Sequence, residues 1–363
     1  MTSPATGNGK QFLAVAAVAA LFGSAACGTA EAAGDTSWAG GDANAQAITE
    51  LYDAAVAAKQ DQLVIYGAYS AVYKPLWDIF RDRFPKTGIV GTPIAGAPLI
   101  TKLDAEFASG QHVGDVVMAG EMEVMSLVGH GRTQPYRPPN IGGLAARYTN
   151  PQGDFVIQFA DPFGVVFNTD KLKTDELPKS ISDLLNPKYK GMVIDDPLAG
   201  AATTLCWAEL YRSNKLTPEL MKGIKANANV VPSMTPLFQM LTAGSVTMMP
   251  WAGHSRQLRL KEAGAHVGYL AIPGMAVPLY GATALIKDAP HPKLAQLFQA
   301  WFLTPEAQNA IVKVGYSYGL MPGAAIPADW PDFQQLVDAL QVVPPSDYVT
   351  MREQFDKAIR QVW

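Results

Sequence analysis

From Ala45 onward, short continuous apolar runs alternate with longer stretches in which apolar residues recur every three or four positions. The first kind of run predicts buried strands and the second predicts helices with one buried face. Helical spacing covers Ala45–Lys59, and Leu63–Ala68 reads as a strand ended by small residues. Val72–Phe84 is a helix stopped by Pro85, Ile89–Ile94 a strand, and Pro98–Ser109 a helix opened by its proline. Asp115–Ala119 is a third strand and Glu121–Val128 the helix after it. The segment Phe155–Thr169 holds two strand-like halves, and Asp161-Pro162 is expected to break them apart. The alternation then restarts. Strands are expected at Met192–Ile194, Val246–Pro250, Val267–Ile272 and Tyr280–Ile286. Helices are expected at Ala199–Arg212, Pro218–Lys225, Thr235–Ala243 and Ser255–Ala263. The last 70 or so residues read as mainly helical, through Lys293–Phe302, Pro305–Val314 and Tyr348–Ile359. Strand–helix succession with continuous apolar strands implies an α/β fold with a largely parallel sheet covered on both faces. Two such units in one chain imply a cleft, and ligands bind at the carboxyl ends of parallel strands.

The first 45 residues carry a different pattern. Lys10 precedes an uncharged run from Gln11 to Ala30, whose apolar heart, Phe12–Phe22, has the length of a signal-peptide core and is too short to span a bilayer. The run ends in Gly23-Ser24-Ala25-Ala26-Cys27-Gly28, which resembles a bacterial lipobox with Ser24 where that motif usually has Leu. Residues 1–26 are therefore expected to be a lipoprotein signal peptide, with Cys27 lipidated as the mature N-terminus. Cleavage at Ala30-Glu31-Ala32, which releases a soluble protein, is the alternative. The stretch up to residue 45 is rich in Gly, Ala, Ser, Thr and Asp, and reads as a flexible tether.

Charge and cysteine content narrow the partners. The net charge is −4 with no Lys/Arg run, which argues against a nucleic-acid partner. Only Cys27 and Cys206 occur, so once Cys27 lies at the anchor no disulfide is expected; Cys206 reads as a small buried hydrophobe.

Catalytic and metal patterns are weak. Gly315-Tyr316-Ser317-Tyr318-Gly319 fits the nucleophile-elbow spacing, but helical sequence precedes it and no histidine follows His291 to complete the triad. The histidines His112, His130, His254, His266 and His291 show no zinc spacing. Asp195 and Asp196 are adjacent at a strand end and so point apart. No phosphate-binding glycine loop of the Walker type occurs, so any ATPase must be another polypeptide. No cofactor is expected.

Candidate binding residues lie in loops at strand ends. Tyr69 and Ser70 follow the first strand, and Glu121 follows the third. Gly200, Ala201 and Thr203 open a helix with small residues whose amides suit an anion. Trp251 and His254 sit at a strand-to-helix turn, and Tyr280 begins a late strand. Aromatic surfaces with few polar groups suit an organic ligand.

Several of these segments together resemble the family 1 extracellular solute-binding proteins, the ferric-iron, thiamine and polyamine group of ABC importer receptors. The resemblance rests on LVIYGAYS (Leu63–Ser70), GDVVM (Gly114–Met118) and GVVFNTD (Gly164–Asp170). Also shared are LLNPKYKG (Leu184–Gly191), DPLAG (Asp196–Gly200) and the stretch His291–Ala307 with FLTPEA. It runs through nearly the whole mature chain. It implies a two-lobed type II clamshell with two hinge-crossing segments, near Gln158–Val166 and Tyr269–Tyr280. Residues 46–160 plus 276–363 would form lobe one and 161–275 lobe two. It also implies a non-enzymatic, exported, membrane-anchored monomer that serves an ABC permease and ATPase. A ferric-iron or polyamine-binding receptor of the same family, or a ligand-sensing module for a membrane kinase, remains the alternative. Ferric-binding members place paired tyrosines where this chain has Pro250-Trp251-Ala252-Gly253, and polyamine-binding members a carboxylate where it has Gly281-Ala282-Thr283. Tyrosinate is a strong ligand for hard Fe(III) and Trp does not replace it. The expected ligand is therefore a small polar organic molecule bearing an anionic group.

If Cys27 carries the anchor, Cys27→Ala moves the protein from the membrane fraction to the soluble fraction on cell fractionation. An unmutated protein that is soluble without detergent would point instead to cleavage near Ala32.

Overall fold

The structure is a computed structural model that describes residues 35–199, 202–232, 235–340 and 348–363. The chain separates by contacts at Asp35/Thr36, and every element below belongs to Thr36–Trp363. In order, the first half contains α1 (Asp42–Ala57), β1 (Gln62–Tyr66), α2 (Tyr69–Val72), α3 (Lys74–Arg83) and β2 (Gly88–Thr92). Then come α4 (Ala97–Ser109), β3 (Val116–Gly120), α5 (Glu121–Gly129), β4 (Thr133–Gln134) and the long β5 (Val156–Asn168). The second half begins with β6 (Met192–Asp195), α6 (Ala202–Arg212), α7 (Pro218–Asn227), β7 (Ala228–Val231) and α8 (Thr235–Thr242). It continues with β8 (Met248–Gly253), α9 (His254–Glu262), β9 (Val267–Leu270) and β10 (Val277–Ile286). The chain ends with α10 (Pro292–Trp301), α11 (Pro305–Lys313), β11 (Tyr318–Gly319), α12 (Phe333–Leu340) and α13 (Tyr348–Ile359). No helix among the described residues is long and apolar enough to cross a membrane.

The main sheet runs β11-β5-β10-β3-β1-β2, with β4 on β10 and both β8 and β9 on β5; β6 and β7 form a separate parallel pair. The β1–β2 and β1–β3 pairings are parallel, as the strand–helix alternation implies. The pairings of β10 with β3 and with β5 are antiparallel. The sheet is thus less parallel than the alternation alone suggests, because β10 carries the chain back alongside β5.

The hydrophobic packing divides along these two strands. β5 gives Phe159 to a core around Phe80, Phe298 and Trp301, and Val156, Ile157 and Ala160 to one around Tyr66 and Val117. A few residues later it gives Val165 and Phe167 to a core around Trp207 and Ile194, and Val166 to one around Leu237 and Met249. β10 makes the same passage in reverse, with Val277 in the Trp207 core and Tyr280, Ala282 and Ile286 in the Tyr66 core. This is the two-lobed α/β clamshell. The crossing is continuous strand, although Asp161-Pro162 was expected to break it. Pro162 lies opposite Pro278 in the ladder, so the two missing N–H donors fall on one rung instead of two. The C-terminal helix differs from the expected lobe division. Met351, Phe355 and Ile359 of α13 pack into the Trp207 core, and Trp363 meets Trp207 edge-on at 5.3 Å.

The exit of β1 shows what holds the cleft edge. Gly67 has φ 135°, and a Cβ there would lie 2.0 Å from the carbonyl oxygen of Met118. Only glycine lets the β1–α2 turn lie directly on β3. Gly67→Ala is therefore expected to lower unfolding free energy by at least about 2 kcal/mol in urea denaturation. Gly129→Ala, with nothing within 4 Å of the added carbon, should leave it unchanged or slightly raised.

Candidate functional site

Three of the strand-end residues come together. Tyr69, Glu121 and Tyr280 line one small cavity with Gly120, Met122, Leu205, Glu209 and the Val277–Leu279 stretch of β10. Tyr69 opens α2, its ring stacked on Tyr73 at 5.7 Å and edge-on to Phe159 at 4.9 Å. Glu121 begins α5 directly after β3, where the positive end of the helix dipole favours a carboxylate. Tyr280 pairs with Ala160 at the crossing and rests against Tyr148, 5.6 Å between ring centres. Gly281 beside it must be glycine, because the Phe159 ring would lie 1.9 Å from an added Cβ.

Glu209 was not anticipated. It lies on α6 four residues after Leu205, so both project from one helix face into the cavity. Its carboxylate pairs with Arg212, which also donates to the Leu340 carbonyl at 2.7 Å. The only signal in the sequence is an acidic residue on an otherwise apolar helix face.

The electrostatics have one sign. Among the described residues, the cavity lining contains two carboxylates and no Lys, Arg or His. Burial raises the Glu209 pKa, with Arg212 partly offsetting it. Burial also holds both tyrosine hydroxyls well above their ordinary value; Asp161 and Glu123 add to this at Tyr69, and Tyr148 and Glu121 at Tyr280. The cavity measures about 60 Å³. That volume admits a few waters, far less than the few hundred Å³ typical of organic-ligand sites, so a larger ligand requires the lobes to part.

The remaining candidates lie elsewhere. Ser70 is buried under β2, its carbonyl accepting the Trp77 indole N–H at 2.8 Å. Thr203 is buried and donates its hydroxyl to Asp195, so that hydroxyl is committed to a carboxylate instead of facing an anion. Trp251 is fully buried, donates to the Met275 carbonyl at 3.2 Å and packs edge-on to Trp207 at 5.4 Å. The β5–β8 register shifts between Gly164 and Val166, and Trp251 takes φ 59° there. Such a bulge re-aims a side chain, and here the indole goes into the core. His254 lies on α9, in a groove distinct from this cavity. Gly200, Ala201 and Cys27 lie outside the described residues.

Asp161 ties the crossing to the second lobe. It accepts hydrogen bonds from the Ser255 amide at 2.9 Å and the Ser255 hydroxyl at 2.6 Å, capping the start of α9 from β5. A Cβ on Gly253 would lie 2.6 Å from its Oδ2. Burial pushes the Asp161 pKa up to about 6, while the Ser255 bonds and Arg259 pull it back.

Other reactive groups are committed. Ser317 is buried and shares a hydrogen bond of 2.8 Å with the Tyr73 hydroxyl, which leaves no exposed nucleophile at the elbow-like sequence. Cys206 is buried in the Trp207 core.

The paired lobes, the crossing strands and a cleft cavity at the ends of β1 and β3 define a type II periplasmic binding protein. The chain belongs to the bacterial extracellular solute-binding protein family, whose profile matches residues 112–337. An Fe(3+)-binding periplasmic protein of Serratia marcescens is 24% identical over 284 residues, covering 75% of this chain and 82% of the relative. Iron-bound HitA from Pseudomonas aeruginosa superposes with a TM-score of 0.69 at 19% identity, over 81% of this chain and 99% of that one. The substrate-binding protein of an ABC transporter from Agrobacterium tumefaciens gives 0.68 at 12% identity, over 84% and 96%. The chain is a solute-binding receptor of an importer, a non-enzymatic class whose members work outside the cytoplasm.

The Asp161 carboxyl sets a pH dependence. Its folded pKa lies above the ordinary 3.8, so the folded protein binds this proton more tightly than the unfolded chain. The resulting stability is fully present below about 4 and lost as pH rises through about 6. Denaturation midpoints measured from about pH 7 to about pH 4 should therefore contain a stabilising component that Asp161→Asn removes.

Proposed function

We propose that this receptor captures a small organic ligand bearing positive charge, between Tyr69, Glu121, Glu209 and Tyr280. The observation that carries this reading is the pair of carboxylates facing a cavity whose described lining has no basic side chain. Buried carboxylates favour a positive charge beside them, and Arg212 already pairs with Glu209. Tyrosine faces add attraction for an organic cation, about 0.5–2 kcal/mol each when desolvated.

This differs in charge from the anion-bearing ligand expected on the turn before α6. Thr203 there serves Asp195, and no described residue lining the cavity offers a cationic partner to an anion. Ferric iron is the second reading, favoured by the names of the Serratia relative and of HitA. Against it, Pro250-Trp251-Ala252-Gly253 supplies no tyrosine. Lipid anchoring through Cys27 and action as a monomer beside an ABC permease and ATPase complete the proposal.

Isothermal titration with thiamine, spermidine, ferric citrate and a simple phosphonate tests the ligand class. An organic cation should bind, and Glu121→Gln should weaken it at least about tenfold, or ~1.4 kcal/mol. Tight binding of the phosphonate or of ferric citrate would overturn the reading.

A further inference from the structure

His254 was singled out in the sequence, yet the cleft cavity does not use it. Its ring lines a separate groove of about 650 Å³, between α9, β9 and the segment Asp329–Leu336. The side chain is 4% exposed, and its Nδ1 is buried with no hydrogen-bond partner. The imidazole is held by aromatic rings, Tyr269 at 4.5 Å and 34° and Trp330 at 5.0 Å and 83°. Burial lowers its pKa to about 4, with Asp329 opposing, so the ring is neutral at physiological pH and presents one donor and one acceptor. A buried polar group left without a partner is destabilising, and native structures rarely keep one without a reason.

The groove's walls carry both signs of charge. Lys261 on α9 is exposed on one bank, and Asp329 and Asp332 are exposed on the other. Its volume suits a small organic molecule. A simple anion would meet the two aspartates, and a simple cation would meet the lysine. A molecule with both charges a few bonds apart meets each with its opposite, and its backbone rests on the imidazole.

We propose that this groove is a second ligand site, for a small amino-acid-type zwitterion. The ligand's carboxylate faces Lys261, its ammonium faces Asp329 and Asp332, and the His254 ring lies in the floor beneath it. The groove also touches the crossing. Tyr269 pairs with Val166 of β5 and donates its hydroxyl to the Pro162 carbonyl at 2.8 Å. Tyr318, which pairs with Ala160, packs on Trp330 at 4.9 Å and donates to the Pro331 carbonyl at 2.9 Å. A ligand here therefore bears on both ends of the β5 crossing, whatever the cleft itself holds.

Titration calorimetry of the full-length protein with L-serine, L-glutamine and L-arginine tests the site, with propionate and propylamine as single-charge probes. At least one amino acid should bind saturably, and both single-charge probes at least about tenfold more weakly. Lys261→Ala and Asp329→Asn, both on the exposed banks, should each weaken the amino acid about tenfold, while Glu121→Gln in the cleft leaves it unchanged. Long-range nitrogen NMR should show the His254 imidazole shifting on saturation. The proposal is overturned if no amino acid saturates, if propionate or propylamine binds as tightly, or if Lys261→Ala leaves binding intact. Loss of binding in Glu121→Gln alone would assign the amino acid to the cleft and equally overturn the second site.

Discussion

The antiparallel pairing of β5 with β10 is the constraint on which the rest of the molecule depends. These strands lie side by side where the chain passes between two sets of hydrophobic cores, paired from Val277 opposite Phe163 to Thr283 opposite Val156 with one register shift between Gly281 and Ala282. A paired ribbon resists shear and stretch through its hydrogen bonds but twists and bends more easily, which suits it to joining two rigid lobes. The opposed prolines Pro162 and Pro278 sit in that ribbon. So does Asp161, whose carboxylate holds the first turn of α9. Every element that lines the cavity either belongs to this ribbon or is positioned by a strand of the same sheet or by the core packed beyond it.

The chemistry of the cleft follows from where strands end. β3 ends at Gly120, so Glu121 begins a helix with its carboxylate in the favourable end of the dipole. β1 ends at Tyr66, and Gly67 brings Tyr69 close against β3. β10 begins at the crossing, so Tyr280 meets both. α6 supplies Glu209 from the facing lobe, pinned by Arg212 to the Leu340 carbonyl at the end of α12. On the proposed reading, closing the lobes brings these acidic groups together at a cost in repulsion and desolvation that a bound cation would offset. Closure and ligand charge are then two aspects of one equilibrium, since a ligand shifts it only by its differential affinity for the closed form.

Much of this was legible in the sequence, because apolar continuity and turn residues mark strands that are buried on both faces. Leu63–Ala68, Asp115–Ala119 and the helix from Glu121 lie where their pattern put them, and two of the cavity residues, Tyr69 and Glu121, follow from being next to those strand ends. What was not legible depends on non-local pairing. Pro162 reads as a breaker until Pro278 is seen opposite it. Trp251 reads as a cleft aromatic until the β8 bulge turns it into the core. Ala228–Val231 is half-exposed and paired only with β6, so it lacks the apolar run that announces a strand. Glu209 looks like an ordinary surface charge on α6 until Leu205 and the Tyr280 strand enclose it.

The central claim is that the cleft selects its ligand by negative charge from Glu121 and Glu209. Native mass spectrometry of the folded receptor isolated from cells, with the bound small molecule released and identified, tests it most directly. The account predicts a small organic cation on the unmodified protein and its absence from a Glu121→Gln, Glu209→Gln double variant that still folds. A phosphate, phosphonate or carboxylate ligand that survives both substitutions would contradict it.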